Sequence, residues 1–249
     1  MRCMTGTTVQ IETADGVANA YVSRPAGNGP WPGVLFLMDG PGLRDALYTM
    51  ADRLASHGYF VVLPNLYYRI GAYEPFDLRI ALTGSGPEFE RLMRTAGSLA
   101  LEDTMRDAGA WFDFLDAQPD VLGRAHGVVG YCLGGAFAIA AACRHPQRIG
   151  MAASFHGGGF VTDPASTEEI ATKVRAPVYI GVAEIDRRHT SAISEGLEAA
   201  LARAGVPHAV ELYPGSTHGF TVPDIPSYDA AHSERHWERL LAYLKYLEG

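Results

Sequence analysis

The hexapeptide Gly130-Tyr131-Cys132-Leu133-Gly134-Gly135 constrains the fold more than any other stretch of this chain. The apolar residues Gly127-Val128-Val129 precede it, and a run of small residues over 136–142 follows it. This order predicts a strand, a tight turn and a helix. The turn brings strand and helix close together, so a side chain at Gly130 or Gly134 would collide with one of them. We therefore expect Cys132 to project from the tip of the turn.

The position of Cys132 suggests a nucleophile. The pattern Gly-x-nucleophile-x-Gly at a strand–helix junction is the nucleophile elbow of α/β-hydrolases, here with cysteine in the place where serine is usual. The N-terminus of the following helix favours the thiolate, which is the attacking form of cysteine. A buried structural cysteine on a glycine-rich turn is the alternative, and the rest of the chain has to distinguish the two.

Composition limits the class of protein. The chain has 249 residues, of which 47% are hydrophobic and 19% charged. These values suit one large α/β domain over residues 1–249, and no linker indicates a second domain. The net charge is -8 and no basic stretch occurs, so we expect no nucleic-acid partner. No apolar run reaches membrane-spanning length, and the first residues lack the apolar segment of a signal peptide.

The cysteines indicate the redox environment. Cys3, Cys132 and Cys143 are widely spaced and form neither a CxxC pair nor a cluster with metal-ligand spacing. An odd number of separated cysteines indicates free thiols rather than a disulfide framework. We therefore expect a reduced, cytoplasmic protein without a metal or other cofactor. The sequence leaves open whether it is a monomer or a small homo-oligomer.

Predicted strands alternate with predicted helices along most of the chain. An N-terminal hairpin (7–13 and 18–23) is followed by apolar strands at 33–38, 59–64, 128–131, 151–155, 177–182 and 208–213. Helical patterns occupy 44–57, 88–93, 99–117, 136–145, 191–204 and 228–247. Continuous rather than alternating hydrophobicity indicates strands buried on both faces. The order predicts an α/β fold, with a mostly parallel sheet, helices on both faces and an antiparallel hairpin at its start.

Polar residues follow several of these strands, where open parallel sheets bind their ligands. They are Asp39, the loop Tyr67-Tyr68-Arg69, Cys132, Asp186 (or Glu184) and His218. The chain order nucleophile, acid, histidine is that of α/β-hydrolase triads. Each member also follows the expected element, since Asp186 comes after the next-to-last strand and His218 after the last. Asp186 fits the loop better than Glu184, which stays an alternative.

These motifs together resemble the dienelactone hydrolase (carboxymethylenebutenolidase) family of α/β-hydrolases. The resemblance rests on the Cys132 hexapeptide, on the acid and histidine, and on three further stretches: Gly58-Tyr59 through Pro64-Asn65-Leu66-Tyr67, Phe155-His156-Gly157-Gly158 and Thr217-His218-Gly219-Phe220. It covers nearly the whole chain in the right order. It implies a minimal α/β-hydrolase domain without a large cap, which acts on small esters or lactones.

The roles of the triad residues follow from their chemistry. Cys132 would attack the carbonyl carbon and form a thioester acyl-enzyme. His218 would take the thiol proton and then activate water, while Asp186 would orient the imidazole and stabilise its charged form. A thiolate is also a good leaving group, so the tetrahedral adduct that it forms with an amide expels the thiolate and returns to the substrate. Activated esters, enol lactones and thioesters are therefore the expected substrates, rather than peptides.

Backbone N–H groups are expected to bind the oxyanion. One is that of Leu133, and the other comes from the loop after the first parallel strand, near Met38 or Asp39. In the resembled family a glutamate stands at the position of Asp39 and contacts the thiol. Asp39 is shorter by one methylene. Either its side chain keeps an electrostatic, proton-holding or substrate-binding role, or the residue acts through its backbone and caps the turn before Gly-Pro-Gly.

Anchoring of the substrate is the point where this chain departs from the family. Family members that cleave dienelactone hold its carboxylate with two arginines, and the second position, four residues after the histidine, is Val222 here. Arg91 or Arg94 could supply the first, or both could be solvated surface charges. Candidates for a more apolar pocket are Tyr67, Tyr68 and Phe220. We expect His156 to be structural, and three other histidines to lie at the surface: His189, His232 and His236.

The leading prediction is a hydrolase of small carboxylic esters or lactones, with a small molecule as its only partner. Another activated ester or a thioester is an alternative substrate. A dehalogenase would use the same elbow, but on this fold it normally carries aspartate where this chain has Cys132. A non-catalytic binding protein would be expected to have lost part of the triad, whereas all three residues are present.

Overall fold

The computed structural model describes residues 6–248, so Cys3 lies outside them. Its strands are β1 (Thr7–Thr13), β2 (Gly16–Ser23), β3 (Trp31–Leu37), β4 (Phe60–Pro64), β5 (Val121–Tyr131), β6 (Ile149–Phe155), β7 (Val178–Ile185) and β8 (His208–Thr217). Its α-helices are α1 (Asp45–Ser56), α2 (Leu78–Ala81), α3 (Pro87–Ala96), α4 (Leu101–Asp116), α5 (Leu133–Arg144), α6 (Ser166–Lys173), α7 (Ser191–Ala204) and α8 (Ala230–Leu244). Short 3₁₀ turns occupy Tyr68–Ile70, Gly159–Val161 and Lys245–Leu247.

One sheet contains all eight strands, in the order β1-β2-β4-β3-β5-β6-β7-β8. The pairs β1–β2 and β2–β4 are antiparallel, and every other neighbouring pair is parallel. The predicted α/β-hydrolase fold is therefore confirmed, including its N-terminal antiparallel hairpin. The strand that leads to Cys132, β5, lies inside the parallel part of the sheet, between β3 and β6.

The inner strands are buried on both faces, as their continuous hydrophobicity predicted. Residues 34–37 of β3 and 60–63 of β4 are fully buried, with no accessible surface on their apolar side chains. Burial of apolar area at about 25 cal/mol per Å² is the main stabilising contribution in such a core. Within residues 6–248 no helix is long and apolar enough to cross a membrane.

Several elements differ from the expected bounds. Strand β5 begins at Val121 rather than at 128, because Val121 and Leu122 pair with Trp31 and Pro32 of β3. This first part of β5 is not buried, so it lacks the apolar pattern of the rest of the strand. Helix α5 begins directly after Cys132, since the burial of Gly134 and Gly135 outweighs their poor helix propensity. The helices α2 and α6 were not predicted; both are short, and α6 buries only Ser166 and Ile170.

The prediction of surface histidines is wrong for two of the three. His236 is fully buried, and its Nδ1–H donates to the Ser233 carbonyl at 2.6 Å while Nε2 lies 3.0 Å from the Tyr131 hydroxyl. His189 is buried beside Ser194, with Nε2 and Oγ 2.9 Å apart. Hydrogen bonds of this kind remove the cost of burying a neutral imidazole. His232 is half-buried.

Candidate active site

The turn at Cys132 has the geometry that its glycines predicted. A Cβ atom on Gly130 would lie 1.9 Å from the Gly134 carbonyl oxygen, and one on Gly134 would lie 2.4 Å from the carbonyl oxygens of Leu37 and Met38. Cys132 itself has φ 55° and ψ -118°, a conformation that costs a non-glycine residue about 1–3 kcal/mol. The steric requirement for glycine at both positions is therefore confirmed.

Cys132, His218 and Asp186 form one hydrogen-bonded chain. Nδ1 of His218 lies 2.6 Å from Oδ2 of Asp186, and the His218 side chain also hydrogen-bonds the Cys132 thiol. The second carboxylate oxygen of Asp186 accepts a 3.0 Å hydrogen bond from the backbone N–H of Arg188. The Glu184 carboxylate instead accepts from the backbone N–H of Gly215 at 2.7 Å. The structure therefore brings Asp186, rather than Glu184, to the imidazole.

Electrostatics favour a thiolate–imidazolium pair. Burial alone raises the pKa of the Cys132 thiol, but the charge and hydrogen bond of His218 and the N–H of Leu133 outweigh burial and the charge of Asp39, so the pKa is lowered. Burial lowers the pKa of His218, whereas the Cys132 thiolate and the Asp186 carboxylate raise it above its usual value. A cysteine with a lowered pKa is the more reactive kind at neutral pH.

A second histidine, His156, packs against the ring of His218. The ring of His156 lies 5.0 Å from that of His218, centroid to centroid, and its Nε2 lies 2.8 Å from Oγ1 of Thr221. Burial lowers the pKa of His156 well below its usual value, and the positive charge of His218 lowers it further. The neutral form of His156 is therefore favoured, whereas the pKa of His218 is raised and its protonated form is favoured.

The predicted oxyanion donors lie around the same turn. The backbone N–H of Leu133 hydrogen-bonds the Cys132 sulfur, so it points to where the reacting carbonyl oxygen would come. Met38 is fully buried at the end of β3, and its carbonyl lies against Gly134. The loop after β3 is thus packed directly against the turn. Asp39, the next residue, lines a cavity together with Cys132.

The Asp39 side chain is held by an arginine that the sequence did not single out. Asp39 is buried, with a side chain 1% exposed, and Arg44 binds its two oxygens at 2.6 and 2.8 Å. The same guanidinium binds both carboxylate oxygens of Asp224 at 2.7 and 2.9 Å. No periodicity or motif pointed to Arg44; its spacing of five residues from Asp39 was the only sequence signal.

Cys132 lies where two cavities meet, and five residues line both: Pro41, Leu82, Cys132, Ile185 and His218. One cavity, of about 350 Å³, extends along Asp39 and the segment 225–227. The other, of about 360 Å³, extends beneath α3 and has Arg187 and Arg188 in its wall. Another cavity, of about 650 Å³, does not include Cys132 or His218 in its lining, and Arg44 and Asp224 form part of its wall. It is therefore distinct from the space around the thiol.

The predicted arginines lie elsewhere. Arg91 binds Glu88 at 2.6 Å and stacks over Phe76, and Arg94 is an exposed residue paired with Glu90. Neither is among the residues that line the two cavities at Cys132. The helix α3 turns its arginines away from the cavity because its apolar residues line the wall. These apolar residues are Phe89, Leu92, Met93 and Ala96.

The predicted aromatic residues also lie outside both cavity walls. Tyr67 is fully buried and its hydroxyl donates to the Gly40 carbonyl at 2.6 Å. Tyr68 hydrogen-bonds Asp107 and borders the 650 Å³ cavity instead. Phe220 is fully buried, 4.7 Å from the Tyr213 ring, and Val222 is fully buried as well. These side chains pack the core beneath the loops, where their apolar area is removed from water.

No metal site accompanies this arrangement in the part of the chain that the structure describes, since no three His, Cys, Asp or Glu side chains there are grouped to hold an ion. The site consists instead of a thiol, an imidazole, a carboxylate and a backbone donor. These groups can carry out acyl transfer at a carbonyl carbon.

Comparisons with known proteins show the family of this chain. A family model described as the dienelactone hydrolase family matches residues 18–247. The carboxymethylenebutenolidase of Rhodococcus opacus is 28% identical over 249 residues, covering 93% of this chain and 86% of that protein.

Solved structures show the same fold. A dienelactone hydrolase-like promiscuous phosphotriesterase from metagenomic libraries superposes with a TM-score of 0.74 at 22% identity, covering 98% of this chain and 99% of that one. For the dienelactone hydrolase of Anabaena variabilis the TM-score is 0.64 at 20% identity, with 96% and 98% covered. The family match spans most of the chain, which therefore belongs to the dienelactone hydrolase family and is a hydrolase with the α/β-hydrolase fold.

Proposed function

We propose that this hydrolase cleaves small carboxylic esters or lactones through a thioester formed at Cys132. The hydrogen-bonded chain from Cys132 through His218 to Asp186 is the observation that carries the proposal. Its order of groups supplies a nucleophile, a proton carrier and an orienting carboxylate. The lowered pKa of Cys132 supports a nucleophile that is charged before the substrate arrives.

The reaction proceeds in two steps. The Cys132 sulfur attacks the carbonyl carbon, the bond from that carbon to the alcohol oxygen breaks, and His218 gives its proton to the departing oxygen. Water then loses a proton to His218 and attacks the thioester, which releases the acid and restores the thiolate. The backbone N–H of Leu133 stabilises the oxyanion in both steps, a contribution of roughly 3 kcal/mol for one such donor.

The two cavities fit the two halves of an ester or an opened lactone. The cavity beneath α3 is mostly apolar, and Arg187 and Arg188 form part of its wall. Asp186 lines the same cavity, and the charge of Arg188 helps to lower the pKa of its carboxyl group. Two exposed arginines beside an apolar wall support substrates that carry a negative group on a hydrocarbon body. These positions would take the place of the arginine missing at Val222.

Hydrolysis assays with matched cysteine variants test the proposal. p-Nitrophenyl acetate and cis-dienelactone are offered to the wild type, to Cys132→Ala and to Cys143→Ala. Burial raises the pKa of Cys143 to about 12, so this second thiol is unreactive and serves as the control. We expect turnover by the wild type and the Cys143 variant, and its loss in the Cys132 variant. Equal hydrolysis by all three proteins would contradict the proposal.

A further inference from the structure

The buried ion pair beside the thiol has a role of its own. We propose that Arg44 is a positioning residue that holds the Asp39 carboxylate in an ion pair beside Cys132, and so favours the charged form of the thiol. The inference rests on the proposed function only in taking the Cys132 thiolate as the reactive species. Arg44 itself is not a catalytic residue, because it lines neither cavity at Cys132.

A buried carboxylate beside Cys132 affects the charge of the thiol. Asp39 lines the same cavity as Cys132 and His218, and its side chain is almost fully buried. A lone carboxylate there would repel a neighbouring thiolate strongly, because buried charges are poorly screened. Arg44 binds both oxygens of this carboxylate, and its opposite charge reduces that repulsion.

Arg44 has no N–H group left to donate to a ligand. Its Nε–H donates to Asp224, its Nη1 donates to Asp39 and to the Gly42 carbonyl, and its Nη2 donates to Asp39 and to Asp224. A guanidinium has five N–H groups, and these contacts use all of them. A substrate anion could bind Arg44 only by displacing one of these contacts. The residue is therefore suited to fixing Asp39 rather than to binding a ligand.

Arg44 connects two loops around Cys132 through its ion pairs. Asp39 follows β3, Arg44 immediately precedes α1, and Asp224 lies six residues after His218 in the loop between β8 and α8. The bridge therefore ties the loop that packs against the Cys132 turn to the loop that carries His218. Bidentate arginine–carboxylate pairs fix orientation as well as distance.

Other groups that act on Cys132 come from every neighbouring element. His218 and, through it, Asp186 act from the ends of β8 and β7, and Leu133 donates its N–H from the start of α5. The buried Tyr67 hydroxyl lies near the thiol after β4, while Arg187 and Arg188 line its cavity after β7. In the walls of both cavities, as far as the structure describes them, the carboxylates are Asp39 and Asp186. Asp186 is bonded to His218, so Asp39 is the carboxylate in these walls that Arg44 binds, and Arg44 shares its charge with the more exposed Asp224.

The test measures the rate of Cys132 alkylation by iodoacetamide against pH, which requires no substrate turnover. In Arg44→Gln the carboxylate is left unbalanced, so we expect the profile to move to higher pH and the rate at pH 6 to fall roughly tenfold, the effect of one pKa unit. In Asp39→Asn we expect the opposite shift. The double variant should return close to the wild-type profile, and Arg44→Lys should keep most of it.

Arg69→Gln is the matched control. Arg69 bridges the buried Asp107 and the more exposed Asp15 in the same way, but it lines neither cavity at Cys132. This variant should lose similar stability and leave the alkylation profile unchanged. Two results would overturn the proposal. One is a wild-type alkylation profile in Arg44→Gln. The other is a double variant, Asp39→Asn with Arg44→Gln, whose profile is shifted as far as that of Arg44→Gln alone. If Arg44→Gln does not fold, the shift in Asp39→Asn decides by its sign. Shifts of the expected sign in a protein that hydrolyses no ester would uphold the role of Arg44 and contradict the proposed function alone.

Discussion

Gly134 allows the most direct test of how the turn places the reacting groups. Gly134→Ala puts a Cβ atom 2.4 Å from the backbone carbonyl oxygens of Leu37 and Met38. Contacts of this kind below 3.0 Å essentially never occur, so β3 and α5 must separate by at least about 0.6 Å. Both partners are buried backbone, and neither can rotate away as a side chain would.

The displacement falls on the catalytic geometry because Leu133, next to Gly134, supplies the N–H at the Cys132 sulfur. Misplacement on the scale of 1 Å costs on the order of 100-fold in rate, and overpacking a core costs about 1–3 kcal/mol of unfolding free energy. We expect kcat/KM for p-nitrophenyl acetate to fall by roughly 100-fold, with a lower Tm.

The control is Gly109→Ala in α4, where the nearest atom to the new Cβ would be His145 Cε1 at 3.6 Å. This contact is ordinary, so the change should leave activity intact and stabilise the helix by about 0.5–1 kcal/mol. A Gly134→Ala enzyme with wild-type kcat/KM would refute the reasoning from the turn geometry.

Three further predictions follow from single contacts. Asp186→Asn should lower kcat by roughly 10³–10⁴-fold while Glu184→Gln leaves it nearly unchanged, since only Asp186 reaches the imidazole; steady-state kinetics would contradict this if the two variants behaved alike. Arg188→Gln combined with Arg187→Gln should raise KM for a carboxylate-bearing ester but not for p-nitrophenyl acetate, and equal KM changes would remove the anion-binding role. Burial lowers the pKa of His236 to about 3, so as the pH drops this histidine is protonated in the unfolded chain before it is protonated in the folded one. The free energy of unfolding should therefore fall as the pH drops from about 6.5 towards 3, and urea unfolding should show a shallower fall in His236→Gln.

The sequence predicted those features that depend on local sterics and periodicity. Gly130 and Gly134 specified the turn because their replacement creates backbone clashes within a few residues. The loops carrying Asp186 and His218 followed from strand order alone, since parallel strands bring their carboxyl ends to one edge. Continuous apolar runs likewise located β3 and β4 within one or two residues.

The remaining features depend on contacts between distant segments, which have no period in the sequence. The Arg44–Asp224 pair joins residues 180 positions apart, and its consequence for Asp39 appears only in three dimensions. Arg91 was a reasonable candidate by position, but the apolar face of α3 is the one turned to the cavity. His236 was expected at the surface because no sequence pattern shows that Tyr131 and Ser233 satisfy its ring nitrogens.

The central claim is that Cys132 becomes acylated during turnover. The wild type is mixed with p-nitrophenyl acetate, quenched in acid within one turnover and digested, and the peptide containing Cys132 is examined by mass spectrometry. We expect one acetyl group on the Cys132 sulfur, which hydroxylamine removes, and none on Cys143. The claim would be contradicted if hydrolysis proceeded at the full rate with no acetyl group on Cys132 at any time and the rate stayed undiminished after alkylation of Cys132.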